Sequence, residues 1–173
     1  MIKIKDLLAE DKTSKKYTDL VGVIKNKYNA TYLGHGDNGV ALELPDGKVI
    51  KVTTDSVELE HAETLTNYSF PSIIPIHKVK TLSKDLGYIV MENATPLSEE
   101  EESLIKSTRE KAEAYLLEDN EEELSDLQKY PKLVEFLTGI KTAYTRAGLD
   151  IDEIDYSADN LMNYNNKFVM VDL

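Results

Sequence analysis

Taken as apolar and polar positions, the chain changes period five times. Residues 3–10 read as a short helix, and Ser14 as the cap of a second in which Tyr17, Leu20, Val21, Ile24 and Tyr28 recur at helical spacing. From Tyr32 the pattern turns to short β-like runs. One ends near Leu33, a second, Val40–Leu44, alternates and stops at Pro45-Asp46-Gly47, and a third is Lys48–Val52. Asp55 or Ser56 opens a helix to about Tyr68 with Leu59, Ala62 and Leu65 facing inward. Phe70–Val79 leads into a fourth strand, Ser83–Gly87 turns the chain, and Tyr88–Ala94 is an apolar strand that becomes polar at its end.

After Pro96 the period is helical again. Ser98 and Glu101 are spaced as a capping box, and the acids of the first turn suit the positive end of a helix dipole. That helix runs to about Leu117, Asp119-Asn120 breaks it, and a shorter piece covers roughly 121–129. Pro131 fits the first turn of another, in which Leu133, Val134, Leu137, Ile140, Lys141 and Tyr144 mark the inner face until Gly148 ends it. Last comes a hairpin: Leu161–Tyr164, an Asn165-Asn166 turn whose residues tolerate positive φ, and Phe168–Val171. The class expected is α+β, with boundaries at 1–29 for a helical extension, 30–95 for a β-rich lobe with one helix, and 96–173 for a mainly helical lobe.

Composition narrows the chemistry. The 173 residues contain no Cys, which removes disulfides and thiolate metal sites and is compatible with a reducing cytoplasm. No stretch approaches the roughly 20 apolar residues of a membrane span, so no membrane association is expected. The net charge is −12, and residues 98–126 hold twelve acids against three bases. Direct nucleic-acid binding is therefore not expected. The acidic segment reads either as a solvated helix face or as a contact surface for a basic protein partner. The histidines, His35, His61 and His77, share no ligand spacing.

Two constellations carry candidate chemistry. Gly34-His35-Gly36-Asp37-Asn38-Gly39 has the form G-x-G-x-x-G between β-like runs, and glycines let backbone N–H groups approach a phosphate closely. A strand rather than a helix follows it, unlike a dinucleotide-binding turn. An ordinary Gly-rich hairpin is the plain alternative. Lys51 stands between apolar neighbours in the next strand, where a partly buried ammonium needs an anion; a solvent-facing edge lysine is the alternative. At the other end, Asp155 is followed five residues on by Asn160, and the hairpin brings Asp172 back toward Asn160. An amide oxygen and a carboxylate are hard donors of the kind Mg²⁺ takes in small number beside phosphate and water.

Taken together, the Gly loop, Lys51, a helical Glu, the Tyr88–Ala94 strand, Asp155…Asn160 and Asp172 occur in the order found in the protein kinase-like superfamily, which residues 30–173 resemble. The compact form with D-x-x-x-x-N-L-M is most similar to small kinase-like proteins encoded by bacteriophages, which implies the host cytoplasm as location. The resemblance implies an antiparallel β-sheet N-lobe with an αC-type helix and a reduced, helical C-lobe with a catalytic-loop hairpin. It implies ATP and Mg²⁺ as cofactors. Gly34, Gly36, Gly39 and Val40 would cover the nucleotide, Lys51 would hold its phosphates, and Glu60, with Glu63 in reserve, would orient Lys51. Met91, Glu92 and Ala94 would form the adenine-binding hinge, Asn160 and Asp172 would hold the metal, and Asp155 would serve the acceptor hydroxyl.

The implied activity is phosphate transfer to a protein Ser or Thr, in which Asp155 and Lys51 are catalytic. The alternatives are a pseudokinase that binds and inhibits a partner protein, and a small-molecule phosphotransferase. Three departures bear on the choice. Glu153-Ile154 replaces the usual His-Arg, Ser157 stands where many Ser/Thr kinases carry a Lys, and no activation segment follows Asp172-Leu173. A minimal kinase, a degraded lower lobe or a fragment would each give that ending.

Overall fold

The computed structural model describes residues 4–36, 38–118 and 120–172. The chain forms two compact units. One comprises residues 1–66 and 76–93, the other 67–75 and 94–173. The helical extension set apart at 1–29 belongs to the first unit, and the 67–75 segment, inside the expected β-rich lobe, belongs to the second. Their charges differ sharply. The first unit carries 13 acids and 12 bases, the second 19 acids and 8 bases, so −11 of the net −12 resides in the second.

The first unit is built on a five-stranded antiparallel sheet in the order β1-β2-β3-β5-β4, formed by β1 (Thr31–His35), β2 (Gly39–Glu43), β3 (Val49–Thr53), β4 (Ile76–Ser83) and β5 (Leu86–Met91). Alternation along β3 gives its two faces different work. Ile50 and Val52 join Leu42, Leu86, Ile24 and Ala30 in a core onto which α1 (Ile4–Tyr28) lays Tyr17, Leu20 and Val21. The other face takes α2 (Ser56–Leu65), with Leu59, Ala62 and Leu65 buried as the helical spacing implies. Asp55 caps α2 by accepting from Val57 N and Glu58 N at 2.9 and 3.2 Å. Two helices expected before residue 29 are one. Asp11-Lys12-Thr13-Ser14 is polar but contains neither Gly nor Pro, so nothing in it stops a helix that Tyr17, Leu20, Val21 and Ile24 anchor to the sheet; Tyr28, at the end of the expected stripe, is exposed. Lys3, where the first of them was to begin, lies outside the described residues.

The second unit is helical with a small hairpin. Its elements are α3 (Glu99–Glu118), α4 (Glu121–Asp126), α5 (Pro131–Ala147), two 3₁₀ turns at Ile151–Glu153 and Ala158–Asn160, β6 (Leu161–Tyr164) and β7 (Lys167–Met170). The capping box forms: Glu101 N donates to Ser98 Oγ at 3.2 Å and Ser98 N to Glu101 Oε2 at 3.0 Å. Gly148 stops α5 in the left-handed region, at φ 69°. Asn165 and Asn166 both take positive φ, 50° and 64°, which closes the hairpin as a tight turn. The break expected at Asp119-Asn120 lies partly outside the described residues; Asn120 caps α4 through a bond from Glu122 N. Leu133, Phe136, Leu137, Ile140, Ala143 and Tyr144 of α5 are buried together with Ile105, Ala112 and Tyr115 of α3. Residues 72–74 run beside β7, Met170 N donating to Ser72 O and Ile74 N to Met170 O. Among the described residues no helix is long and apolar enough to cross a membrane.

Gly87 of β5 marks a tight approach between sheet and helix. A Cβ there would lie 2.7 Å from the Lys80 carbonyl oxygen and 2.7 Å from Leu59 Cδ2. The backbone atom cannot yield without disturbing the β4–β5 ladder, in which Gly87 pairs with Thr81. Gly87→Ala is expected to destabilise the chain by about 1–3 kcal/mol, read as a lowered urea midpoint with unchanged slope.

Candidate functional site

In the first unit the centre of interest is Lys51. It lies mid-strand, paired with Ala41 on one side and Ile89 on the other. Those neighbours are apolar, so its stem is covered, and the side chain is only 17% exposed. Its Nζ lies 2.5 Å from Glu58 Oε1, and Glu58 is 2% exposed. Glu58 therefore corrects the choice of Glu60, with Glu63 in reserve, as the helical carboxylate that meets Lys51. The reason is helical phase. Glu58 and Ala62 are one turn apart on the buried face of α2, whereas two residues, roughly 200° of rotation, turn Glu60 to solvent, and Glu63 is also exposed. The signal was available: Glu58 precedes Ala62 and Leu65 by four and seven residues.

The Gly loop adjoins this lysine. Gly39 pairs with Thr53, and a Cβ on it would lie 2.7 Å from Val52 O and 3.4 Å from Lys51 Cε. Gly36 N donates to Gly39 O at 3.0 Å, closing the tip. Asn38 stitches the loop to the start of α2: its carbonyl accepts from Thr54 N at 2.8 Å and its amide donates to Asp55 Oδ2 at 3.3 Å. Gly34 and Gly36 differ from Gly39. Neither takes positive φ, and a Cβ at either would meet nothing within 4 Å. Packing within the described chain thus requires glycine at 39 and gives no reason for it at 34 or 36. Asp37 of this motif lies outside the described residues. Val40 is half-buried and packs on the α1 side of the sheet.

Along the end of β5, Met91 is buried, Glu92 half-buried, and Glu92 Oε1 meets His77 Nε2 at 2.6 Å. Asn93 Nδ2 donates to Glu43 Oε1 at 3.2 Å. Ala94 begins the second unit's portion of the chain and is half-buried.

In the second unit the Asp155–Asn160 loop is closed by its own bonds. Asn160 Nδ2 donates to the Asp155 carboxylate at 3.0 Å and to the Asp155 carbonyl at 3.1 Å. Ser157 N also donates to Asp155 O at 3.0 Å, and Val171 N donates to Asn160 O at 3.0 Å. The last bond sets Asp172 one residue beyond the partner of Asn160. Asp155 and Asp172 are exposed. With its nitrogen committed to Asp155, the Asn160 side chain offers Oδ1 as a donor. One amide oxygen and one carboxylate fit the hard-donor set of Mg²⁺. Among the described residues no group of three or more His, Cys, Asp or Glu could hold a metal ion.

Between Asp155 and Asn160, Tyr156 is a buried anchor. It packs against Phe136 at 6.3 Å between ring centroids. Burial pushes its phenol up to about 12. The same cause, then Glu153 and Asp172, pushes Tyr144 up to about 12. Residues 150–160 contain no Lys or Arg. The guanidinium of Arg109 on α3 is held by Glu113 at 2.7 Å and has its proton affinity raised first by Glu113 and also by Asp155.

A polar cluster that the sequence reading did not single out joins α3, α5 and β6. Lys132 Nζ donates to Glu101 Oε1 at 2.6 Å and also to Asn163 Oδ1. Asn163 Nδ2 donates to Glu101 Oε2 at 2.6 Å. Burial alone would raise the Glu101 carboxyl. The bonds from Lys132, Ser98 N and Asn163, with the Lys132 charge, outweigh it and bring the group down to about 2.

No protein-family model matches the chain, and no curated protein matches it. Among solved structures it is similar to the streptomycin–ATP–APH(2")-IIa ternary complex, at 15% identity and a TM-score of 0.37, covering 87% of this chain and 68% of that one. No residue role described above rests on that likeness.

Two outcomes follow from this geometry. Lys51→Met strands the Glu58 carboxylate in a buried position and is expected to cost about 3 kcal/mol, whereas Lys51→Met with Glu58→Met recovers most of it; denaturant midpoints of the two variants decide. Glu101 gives a pH test. Unfolded, it binds its proton near 4.5; folded, near 2. The unfolded chain therefore holds more protons between those values, and the stability Glu101 confers is complete above about 4.5 and lost as pH falls toward 2. Stability against pH for Glu101→Gln should be flatter than for the parent across that window.

Proposed function

We propose that this chain is a kinase-like phosphotransferase that binds ATP with Mg²⁺ and passes the γ-phosphate to a hydroxyl, the acceptor being Ser or Thr of a protein. The observation that carries the reading is the Lys51–Glu58 pair beneath the Gly loop. An ammonium so poorly exposed, fixed by a helical carboxylate beside Gly39, suits a phosphate better than it suits stability alone, since two apolar residues would fill the same space at less desolvation cost. Glycine at 34 and 36 without a packing need supports the same reading, because close backbone approach to a phosphate is a reason for glycine that the chain's own contacts do not supply.

In this reading the first unit handles phosphates and base, through Gly34, Gly36, Gly39, Val40, Lys51, Met91, Glu92 and Ala94. Glu58 takes the orienting role first given to Glu60. The second unit handles the metal and the acceptor. Mg²⁺, when bound, neutralises phosphate charge. Asn160 and Asp172 hold it, and Asp155, its carboxylate oriented by Asn160, accepts the proton of the attacking hydroxyl. Positioning and electrostatics do most of the catalysis.

One observation favours a second reading, a pseudokinase that regulates a basic partner protein. Residues 150–160 supply no cation to offset transition-state charge, and the second unit carries a charge of −11.

The test is ATP turnover and phosphate incorporation with Mg²⁺, for the parent, Asp155→Ala and Asp172→Ala, with protein and small-molecule hydroxyl acceptors offered in parallel. Transfer by the parent and its loss by at least about a hundredfold in each variant is expected. Equal rates in all three overturn the enzymatic reading, and incorporation confined to small acceptors overturns the protein acceptor.

A further inference from the structure

The β6–β7 hairpin is too small to place itself. It has two strands of four residues, and an isolated two-stranded hairpin is marginal in water. Yet Asn160 immediately precedes it and Asp172 lies two residues beyond it. Whatever fixes the hairpin therefore fixes the distance and direction between those two side chains. Mg²⁺ is demanding in this respect: its oxygens must sit at about 2.0–2.1 Å in near-octahedral geometry.

Leu161, Phe168, Val169 and Met170 are buried and Met170 pairs with residues 72–74, while polar side chains converge on one cross-strand pair, Asn163 with Phe168. Every polar group of Asn163 is engaged. Its backbone N and O bond Thr95, at 2.7 and 2.9 Å. Its side-chain oxygen takes a bond from Lys132 and its nitrogen donates to Glu101 at 2.6 Å. Lys132 grips the other member of the pair as well, with Nζ 4.1 Å from the Phe168 ring centroid. Glu101 completes the triangle by accepting from Lys132 at 2.6 Å, and it is itself fixed by the capping box at the start of α3. Three elements distant in sequence thus converge on one rung of the hairpin. Solvent reaches the pair only partly, Lys132 being 29% and Glu101 25% exposed.

We infer that Lys132, Glu101 and Asn163 are positioning residues for the cation: they lock the hairpin so that Asn160 and Asp172 present their oxygens to Mg²⁺ at a fixed separation. The inference rests on the proposed metal role of those two residues. The clamp touches neither nucleotide nor acceptor. It acts through the three residues from Asn163 back to Asn160 and the four from Phe168 on to Asp172. Removing a clamp that only stabilised the fold would lower the melting temperature and leave cation affinity alone; removing a positioning clamp changes affinity in a protein that is still folded.

The experiment measures Mn²⁺ binding by paramagnetic resonance, with and without a non-hydrolysable ATP analogue, at a temperature where circular dichroism shows each protein folded. The variants are Asn163→Leu, Lys132→Met, Lys132→Arg and Glu101→Gln. Asn163→Leu and Lys132→Met are expected to weaken Mn²⁺ in the nucleotide complex by about tenfold or more, the range seen when groups supporting a metal's ligands are removed. Cation-free binding of the analogue should change less than about twofold, and Lys132→Arg, which keeps the charge but not the compact ammonium over Phe168, should recover only part of the affinity lost in Lys132→Met. If the first two variants do not fold, Glu101→Gln carries the test with a loss of about threefold. Folded variants with parental Mn²⁺ affinity, or an equal loss of cation-free nucleotide binding, overturn the inference and leave the parent reading standing. A parent chain that binds no Mn²⁺ with the analogue overturns both.

Discussion

A lysine and a glutamate taken largely out of water set the terms for the first unit. Lys51 stands mid-strand between Ala41 and Ile89, where the sheet offers no partner for a charge, and Glu58 reaches it from the buried face of α2. Neither ion is tolerable there alone. Burial of Leu59, Ala62 and Leu65 sets which face of α2 turns inward, and that phase brings Glu58 to Lys51. The N-cap Asp55 and its bond from Asn38 tie the same helix to the Gly loop, so loop, strand and helix form one continuous polar and packed connection.

The second unit solves a related problem with the opposite means. Its core is apolar, built from α3 and α5 around Tyr144, Phe136 and Tyr156. The exposed carboxylates of residues 150–172 are carried on short turns and beside a hairpin of two four-residue strands, which have little stability of their own. Tyr156 anchors the Asp155 side of that arrangement in the core, and the Lys132–Glu101–Asn163 triangle anchors the hairpin. Polar side chains at the periphery thus add to the burial of Leu161, Phe168, Val169 and Met170 in fixing the hairpin.

Local features were legible wherever the chemistry is local. The Ser98–Glu101 capping box, the Gly148 stop, the Pro131 start and the Asn165-Asn166 turn each involve residues within a few positions of one another, so their letters suffice. Polarity at residues 11–14 resembles a break, yet α1 runs through it because no breaker residue is there. Glu60 does not meet Lys51 because the phase of the helix, which the apolar residues Leu59, Ala62 and Leu65 define, turns Glu58 inward and Glu60 to solvent.

By itself, then, the sequence determined the class of each element, the stops and caps, and a G-x-G-x-x-G loop between strands followed by a strand lysine, since those depend on side-chain type and near neighbours. Only the tertiary structure decided that Lys51 meets Glu58, that Gly39 is required by packing while Gly34 and Gly36 are not, and that Lys132, Glu101 and Asn163 share one rung of the hairpin. Residues 101, 132 and 163 lie about thirty positions apart, and no periodicity links them. Their meeting depends on how helices and hairpin pack, which burial of the whole apolar set dictates and no local pattern encodes.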